Sequence, residues 1–285
     1  MSRAPTLGAV YCVYNEDEYI EYSIRSILEV VDRVFVLLGE VPYRAYNPHA
    51  REQFQQADAT ESIVRRLVAG SPKIQLIKGR WDSELEHRNA GLALCRQAGM
   101  QYYFLVDGDE VYRRDHLEHL LTELRQRPAV GQFIIKCDIF WRGFRFRIPA
   151  NEMSWMPRRV FKLSWCSRLG KSPIPLPAPP RFIGNNKTNS WGGVHHLDPA
   201  RVKFYHFSYA RLPQKMLEKL RTFSHAHEIP TDWYTRVWQA WPSHRSMTNL
   251  NPVDPPKFPR IVEAGVKDLP DVMTSHPYYG MEIIQ

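Results

Sequence analysis

An α/β architecture, a mostly parallel sheet flanked by helices, is predicted by two observations on the first half of the chain. Short apolar runs of strand length alternate there with segments whose apolar residues recur every three or four positions. Prolines are sparse in the same region: Pro5, Pro42, Pro48, Pro72 and Pro128 precede Ile148 and seventeen follow it, so regular structure gives way to loops near that point. Leu7 to Val13 reads as a short buried strand, after which Ile20, Ile24, Ile27, Leu28 and Val31 share one helical stripe. Val34 to Leu38 is a second apolar run. Ile63, Val64, Leu67 and Val68 sit on a helix closed by Gly70, and Lys73 to Lys78 reads as a third strand. Glu84 to Ala98 is helical and stopped by Gly99, Tyr102 to Val106 is a strand, and Leu117, Leu120, Leu121 and Leu124 mark a helix ending before Pro128. Sequential strand and helix units of this kind pack as parallel strands with helical crossovers.

Beyond Gly131 the periodicity weakens. Gln132 to Phe140, Phe144 to Ile148, Arg159 to Leu163 and Val202 to Ser208 read as strands, Gln214 to Ala226 as a helix following Pro213, and Lys171 to Asn189 as loop. The expected organisation is one domain in two halves, residues 1–130 and 131–228, with a proline-rich tail over 229–285 packed on it. With 285 residues, 44% hydrophobic and 24% charged, the composition excludes disorder, collagen and coiled coil. The thiols Cys12, Cys95, Cys137 and Cys166 form no C-x-x-C pair, which speaks against a disulfide framework or a zinc site and suits a reducing compartment. No apolar run reaches the ~18 residues of a membrane span, and Met1 to Thr6 lacks a signal pattern. A cytoplasmic protein is expected, with attachment at a membrane surface left open.

The most informative segment is Tyr102 to Glu110, an apolar strand running into Asp107, Gly108, Asp109 and Glu110. Open α/β sheets bind ligands at the carboxyl ends of their strands. Carboxylates clustered there repel one another unless a cation lies between them, and hard oxygen ligands select Mg²⁺ or Mn²⁺. Gly108 would leave room for the ligand. A polar turn after a strand has the same residue types. A haloacid-dehalogenase-like phosphatase also carries D-x-D-x-[T/V], with its first Asp as nucleophile, but places it on the first strand, whereas three strand-helix units come first here.

In order along the chain, Val13-Tyr14-Asn15-Glu16, Val31 to Val36, Trp81 followed by Arg88-Asn89-Ala90-Gly91-Leu92, and Asp107-Gly108-Asp109-Glu110 resemble the motifs of the GT-A glycosyltransferases of family 2. The resemblance covers about residues 7 to 127, with an echo to about 220. It implies a Rossmann-like GT-A fold with a mixed acceptor-side extension, a nucleotide-sugar donor (a UDP-sugar is expected) and Mn²⁺ or Mg²⁺ on Asp107 and Asp109. It departs from the family pattern at Leu38 to Pro42, where an acidic residue and a small-residue turn are usual. Tyr14, Asn15 and Glu16 are assigned to the base and ribose, because Glu16 and Asp17 would repel pyrophosphate; Asn15 with Glu18 also has the spacing of a helix-capping box. Arg88 is expected to clamp phosphate or orient Asp107. The segment Val202 to Arg211 looks like a late strand of some members, which makes His206 a candidate third metal ligand, and Lys215 is expected near the diphosphate. An inverting transfer needs a base, for which Glu152, His195, His196 and Asp198 are the candidates, Glu152 first; without one a retaining course stays open.

Residues 131 to 200 hold eleven Lys or Arg against three acids, an excess equal to the whole net charge of +8, interleaved with Trp141, Phe144, Phe146, Trp155, Trp165 and Trp191. Cations alternating with rings suit a polyanionic acceptor: an anionic glycan or lipid-linked sugar, or a nucleic acid presenting a hydroxylated base. A non-catalytic nucleic-acid- or glycan-binding protein on the same fold is the third reading.

Overall fold

The computed structural model describes residues 5–43, 58–163, 182–184, 187–188, 192–222 and 225–285. The amino-terminal half alternates as the periodicity requires: β1 (Leu7–Val13), α1 (Ile20–Ile27), β2 (Arg33–Gly39), α2 (Thr60–Gly70), β3 (Ile74–Gly79), α3 (Glu84–Gln97), β4 (Tyr102–Val106), β5 (Glu110–Tyr112) and α4 (Arg114–Gln126). Then follow β6 (Gln132–Ile134), β7 (Lys136–Trp141), β8 (Phe146–Ile148), β9 (Arg158–Lys162), β10 (Phe182–Gly184), β11 (Lys187–Thr188), β12 (Val194–His196), β13 (Lys203–Tyr209), α5 (Pro213–Thr222) and β14 (Val262–Glu263).

The main sheet runs in the order β12, β6, β9, β4, β1, β2, β3. Its strands are parallel except β9, which is antiparallel to β4 and β6. Strands β1 and β4 are buried on both faces, which is why they read as unbroken apolar runs. Helix α3 lies so close to β1 that a Cβ on Gly91 would stand 2.3 Å from Val10 Cγ1. A second sheet, in the order β14, β8, β7, β13, β5, is mixed: β13 is parallel to β7 and antiparallel to β5.

Three expectations are revised. Gln132 to Phe140 is two strands, because the chain leaves the main sheet at Ile135 and joins the second at Lys136; both are buried, so the hydropathy has no break to show. The expected loop from Lys171 to Asn189 contains the pair β10 and β11, and the rest of it, with Trp165, Cys166, Arg168 and Trp191, lies outside the described residues. Helix α1 begins at Ile20 with Tyr19 as its N-cap and no side-chain cap, while Asn15 adopts φ +51°, so Asn15 and Glu18 form no capping box. From Ile229 onward, Trp233, Trp238, Trp241, Leu250 and Phe258 are buried in the core that also holds Trp141. The Trp238 indole N–H donates to the Tyr209 carbonyl at 3.0 Å. Among the described residues no helix is long and apolar enough to cross a membrane.

Candidate active site

The carboxyl ends of β1, β2 and β4 open onto a cavity of about 590 Å³, a size typical of small-molecule sites. Its far wall comes from β13, α5 and residues 251–258 of the carboxy-terminal segment. Tyr14, Asn15, Glu16, Arg88, Asp107, Asp109, His206 and Lys215 all line it. Glu152, His195 and His196 do not. Glu152 makes a two-pronged pair with Arg260 at 2.7 and 2.9 Å, and His195 sits on the edge strand β12, 3.5 Å from Glu123, with His196 and Asp198 beside the same small surface depression.

The acids after β4 are each tied to cations. Asp107 Oδ2 accepts from Arg159 Nη2 at 2.8 Å. Burial pushes the Asp107 carboxyl up, but the Arg159 and Arg88 guanidiniums outweigh it and hold the group below its ordinary value. Asp109, 2% exposed, accepts from Lys219 and Arg211 at 2.7 Å on Oδ2 and from His206 Nε2 at 3.1 Å on Oδ1. Burial again raises it, and Lys219, His206 and Arg211 together bring it well below the usual carboxylate range. Glu110 is fully buried and paired with Arg159; there burial prevails and the carboxyl is pushed up. Arg211 also bridges to Glu16 at 2.7 Å and Glu18 at 3.1 Å, and burial lifts Glu16 to about 7 against the Arg211 charge. Lys215 pairs with Asp17 at 2.7 Å and Asp58 at 3.1 Å.

Sequence reasoning missed the roles of Arg159, Arg211 and Lys219. The first was counted into a basic face, whereas it is 1% exposed and points into the site. Arg142 and Arg147 also leave that face, one stacked 3.8 Å over Trp238 and the other 3.1 Å from Asp138. Gly108 lines the cavity and also accommodates the β1 loop: a Cβ there would stand 3.0 Å from Glu16 and 3.1 Å from Val13 Cγ1.

The donor set suits a hard divalent cation. Asp107, Glu110 and His206 offer ligand atoms all within 4.8 Å of one another, and Asp109 Oδ1 touches the same imidazole. His206 Nδ1 is buried without a hydrogen-bond partner. Carboxylate oxygens with an imidazole nitrogen are acceptable to Mn²⁺ and, with more water, to Mg²⁺. On the opposite side of the cavity Trp81 stacks on His87 with centroids 3.8 Å apart, and the Tyr43 hydroxyl meets His87 Nδ1 at 2.9 Å.

A family model described as Glycosyl transferase family 2 matches residues 9–175, more than half of the chain, from within β1 to beyond β9. The chain belongs to glycosyltransferase family 2. The phosphatase alternative gains no support from that match. No curated protein matches the sequence significantly. Among solved structures, S. aureus TarS 1-349 in complex with UDP-GlcNAc is similar over 47% of this chain and 35% of its own, at 17% identity and a TM-score of 0.35. TarS 1-349 in complex with UDP is similar over 78% and 68%, at 14% identity and a TM-score of 0.44. This glycosyltransferase chain thus spans about a third of the first of these structures.

Proposed function

We propose that the chain transfers a sugar from a nucleotide-sugar, a UDP-sugar, to an acceptor hydroxyl with Mn²⁺ or Mg²⁺. The observation that carries this reading is the convergence of Asp107, Asp109 and His206 with Arg88, Arg159, Arg211 and Lys219 in one cavity at the carboxyl ends of parallel strands. Asp107 and His206 would hold the ion, with Glu110 of the same cluster and Asp109, which touches the same imidazole, as the further oxygen donors. When bound, it neutralises charge on the departing diphosphate.

The chain's own groups divide the donor by charge. Glu16 is already held by Arg211, so it is not a phosphate contact, and Tyr14, Asn15 and Glu16 are assigned to the nucleoside together with the Trp81 side of the cavity. Arg88 and Lys215, which also line the cavity, are assigned to the phosphates, with Lys215 giving up its contacts to Asp17 and Asp58. The acceptor enters beside α5 and residues 251–258, where Lys257 and Phe258 join Trp155 on the wall. Cations beside the half-buried Trp155 favour an anionic glycan or lipid-linked sugar over a hydroxylated base in DNA, because Trp packs against a pyranose face without the unstacking that a base requires. An inverting displacement needs a proton acceptor that reaches the acceptor hydroxyl, and without one the course is retaining. Glu152, His195 and His196 do not line the cavity where that hydroxyl must sit.

The test is a thermal-shift panel of UDP-, GDP-, CMP- and dTDP-sugars with and without Mn²⁺ on wild type and Asp109→Asn, followed by turnover on glycan and DNA acceptors. The reading expects a Mn²⁺-dependent shift with one nucleotide, lost in Asp109→Asn. Absence of a shift with any nucleotide would overturn it. Polyanion binding that persists in a folded Asp109→Asn chain, with no turnover in wild type, would favour the binding-protein reading.

A further inference from the structure

We infer that Lys219 is a built-in stand-in for the divalent cation: its ammonium neutralises Asp109 while the metal is away and leaves that carboxylate when the metal arrives. The inference rests on the metal-dependent reading above and assigns a role to a residue which that reading named among the cavity's cations without giving it one.

Four acids crowd the end of β4 and the adjoining loop: Glu16, Asp107, Asp109 and Glu110. Buried carboxylates require compensating charge, and the chain supplies it from three side chains on three other elements. Arg159 comes from β9, Arg211 from the turn after β13, and Lys219 from α5. Two of these are fixed. Arg159 is 1% exposed and joins Asp107 to Glu110. Arg211 is 2% exposed, is shared among Glu16, Glu18 and Asp109, and lies 5.5 Å over the Tyr19 ring. Neither can leave without stranding two or more carboxylates, the buried Glu110 for Arg159 and the buried Asp109 for Arg211 among them.

Lys219 differs on each count. Its ammonium reaches one carboxylate, Asp109 Oδ2, at 2.7 Å, and its second partner is the neutral Ser208 hydroxyl at 2.7 Å. Its side chain is 21% exposed on the cavity wall. A lysine carries a compact charge on a flexible stem, so it can exchange one anionic partner for another at little geometric cost. The oxygen it holds, which also accepts from Arg211 at 2.7 Å, belongs to the second acid of the Asp107 and Asp109 pair. A metal ion that needs Asp109 therefore competes with Lys219, and the displaced ammonium remains beside the cavity, where the diphosphate brings new negative charge. Metal and nucleotide would then bind with positive coupling, because the nucleotide receives the cation that the metal expels.

The probe is Mn²⁺ alone, titrated into the full chain and followed by the electron paramagnetic resonance signal of the free ion, on wild type, Lys219→Met, Lys219→Arg and Asp109→Asn. The inference expects Lys219→Met to bind Mn²⁺ at least tenfold more tightly than wild type, Lys219→Arg to stay within about threefold of wild type, and Asp109→Asn to bind least. With Mn²⁺ present, UDP should bind more weakly to Lys219→Met than to wild type. If Lys219→Met binds Mn²⁺ no more tightly than wild type, and wild type binds it well, the exchange is refuted while the metal reading stands. If neither protein binds Mn²⁺, with or without UDP, the metal reading fails and takes this inference with it. Since Arg211 and His206 still satisfy Asp109 in Lys219→Met, the variant is expected to fold; Lys219→Arg supplies the charge-conserving comparison whether or not Lys219→Met loses stability.

Discussion

The His87 imidazole should make this fold acid-sensitive in a calculable way. The ring is 1% exposed, stacked on Trp81, with Nε2 3.0 Å from the Leu37 carbonyl and Nδ1 2.9 Å from the Tyr43 hydroxyl. The carbonyl can only accept, so Nε2 carries the proton and Nδ1 accepts from Tyr43, which fixes the neutral tautomer. Burial drives the group down to about 3, opposed by the bond to Leu37. In the unfolded chain the same group titrates near 6.5. A folded value below the unfolded one means stability is complete above 6.5 and is lost as pH falls toward 3. At about 1.4 kcal/mol per unit, His87 alone removes about 2 kcal/mol at pH 5, a sizeable part of a typical domain's stability. The assay is urea unfolding of wild type and His87→Gln from pH 7.5 to 5. Glutamine does not titrate, so the advantage of wild type over the variant should shrink by about 2 kcal/mol across that range. A difference that stays constant with pH, or a His87 ring proton that titrates near 6.5 by NMR, would refute the reasoning.

His276 extends the same effect: burial brings it to about 4 against its bond to the Glu18 carbonyl, so its replacement by Gln should also flatten the acid limb of the unfolding profile. Gly91→Ala should cost about 1–2 kcal/mol despite the better helix former, since the new methyl would stand 2.3 Å from Val10; in a Val10→Ala background the cost should vanish, and urea unfolding of the four proteins checks it. Arg211→Met should cost about 3–5 kcal/mol by chemical denaturation, because Glu16, Glu18 and Asp109 lose their shared cation, and Arg211→Lys should restore only part of it. Trp81→Ala should weaken UDP binding roughly tenfold in calorimetry through loss of the ring at the nucleoside side.

The half of the fold that could be read from the sequence is the half in which burial and periodicity coincide. Strands β1 and β4, and β2 after its exposed Arg33, are apolar throughout because both faces are covered, and α1 and α4 show their stripes because one face is wet. Strand β5 was hidden because it opens with Glu110, an acid that is fully buried only because Arg159 meets it. Strand β12 was hidden for the opposite reason: it is a short edge with an exposed Val194, so no hydropathy pattern marks it. The acids of the site could be found since a cluster of like charges at a strand end is a local pattern. Their partners could not: Arg159 and Arg211 lie 52 and 102 positions from the aspartates they hold, and a count of charges along the chain does not say which way a guanidinium turns.

What brings those distant groups together is the register of one strand. Strand β13 pairs with β5 so that His206 lies opposite Glu110, and the Phe207 amide donates to the Asp109 carbonyl at 2.9 Å, holding the turn that carries the acids. Side chains alternate along a strand, so Phe204 enters the large core and His206 the cavity, while Tyr205 and Phe207 face the aromatic cluster around Tyr19. A slip of one residue would turn His206 into that aromatic cluster and expose a phenyl ring to the acids. The register is pinned on the other edge by β7, where Phe204 lies opposite Cys137 and His206 opposite Ile139. Between His206 and Tyr209 the pairing shifts, and Ser208 within that shift and Tyr209 at its end both line the cavity. The second sheet therefore sets the spacing between the imidazole and the carboxylates, and the irregularity after His206 is what lets consecutive residues of one strand reach the same site.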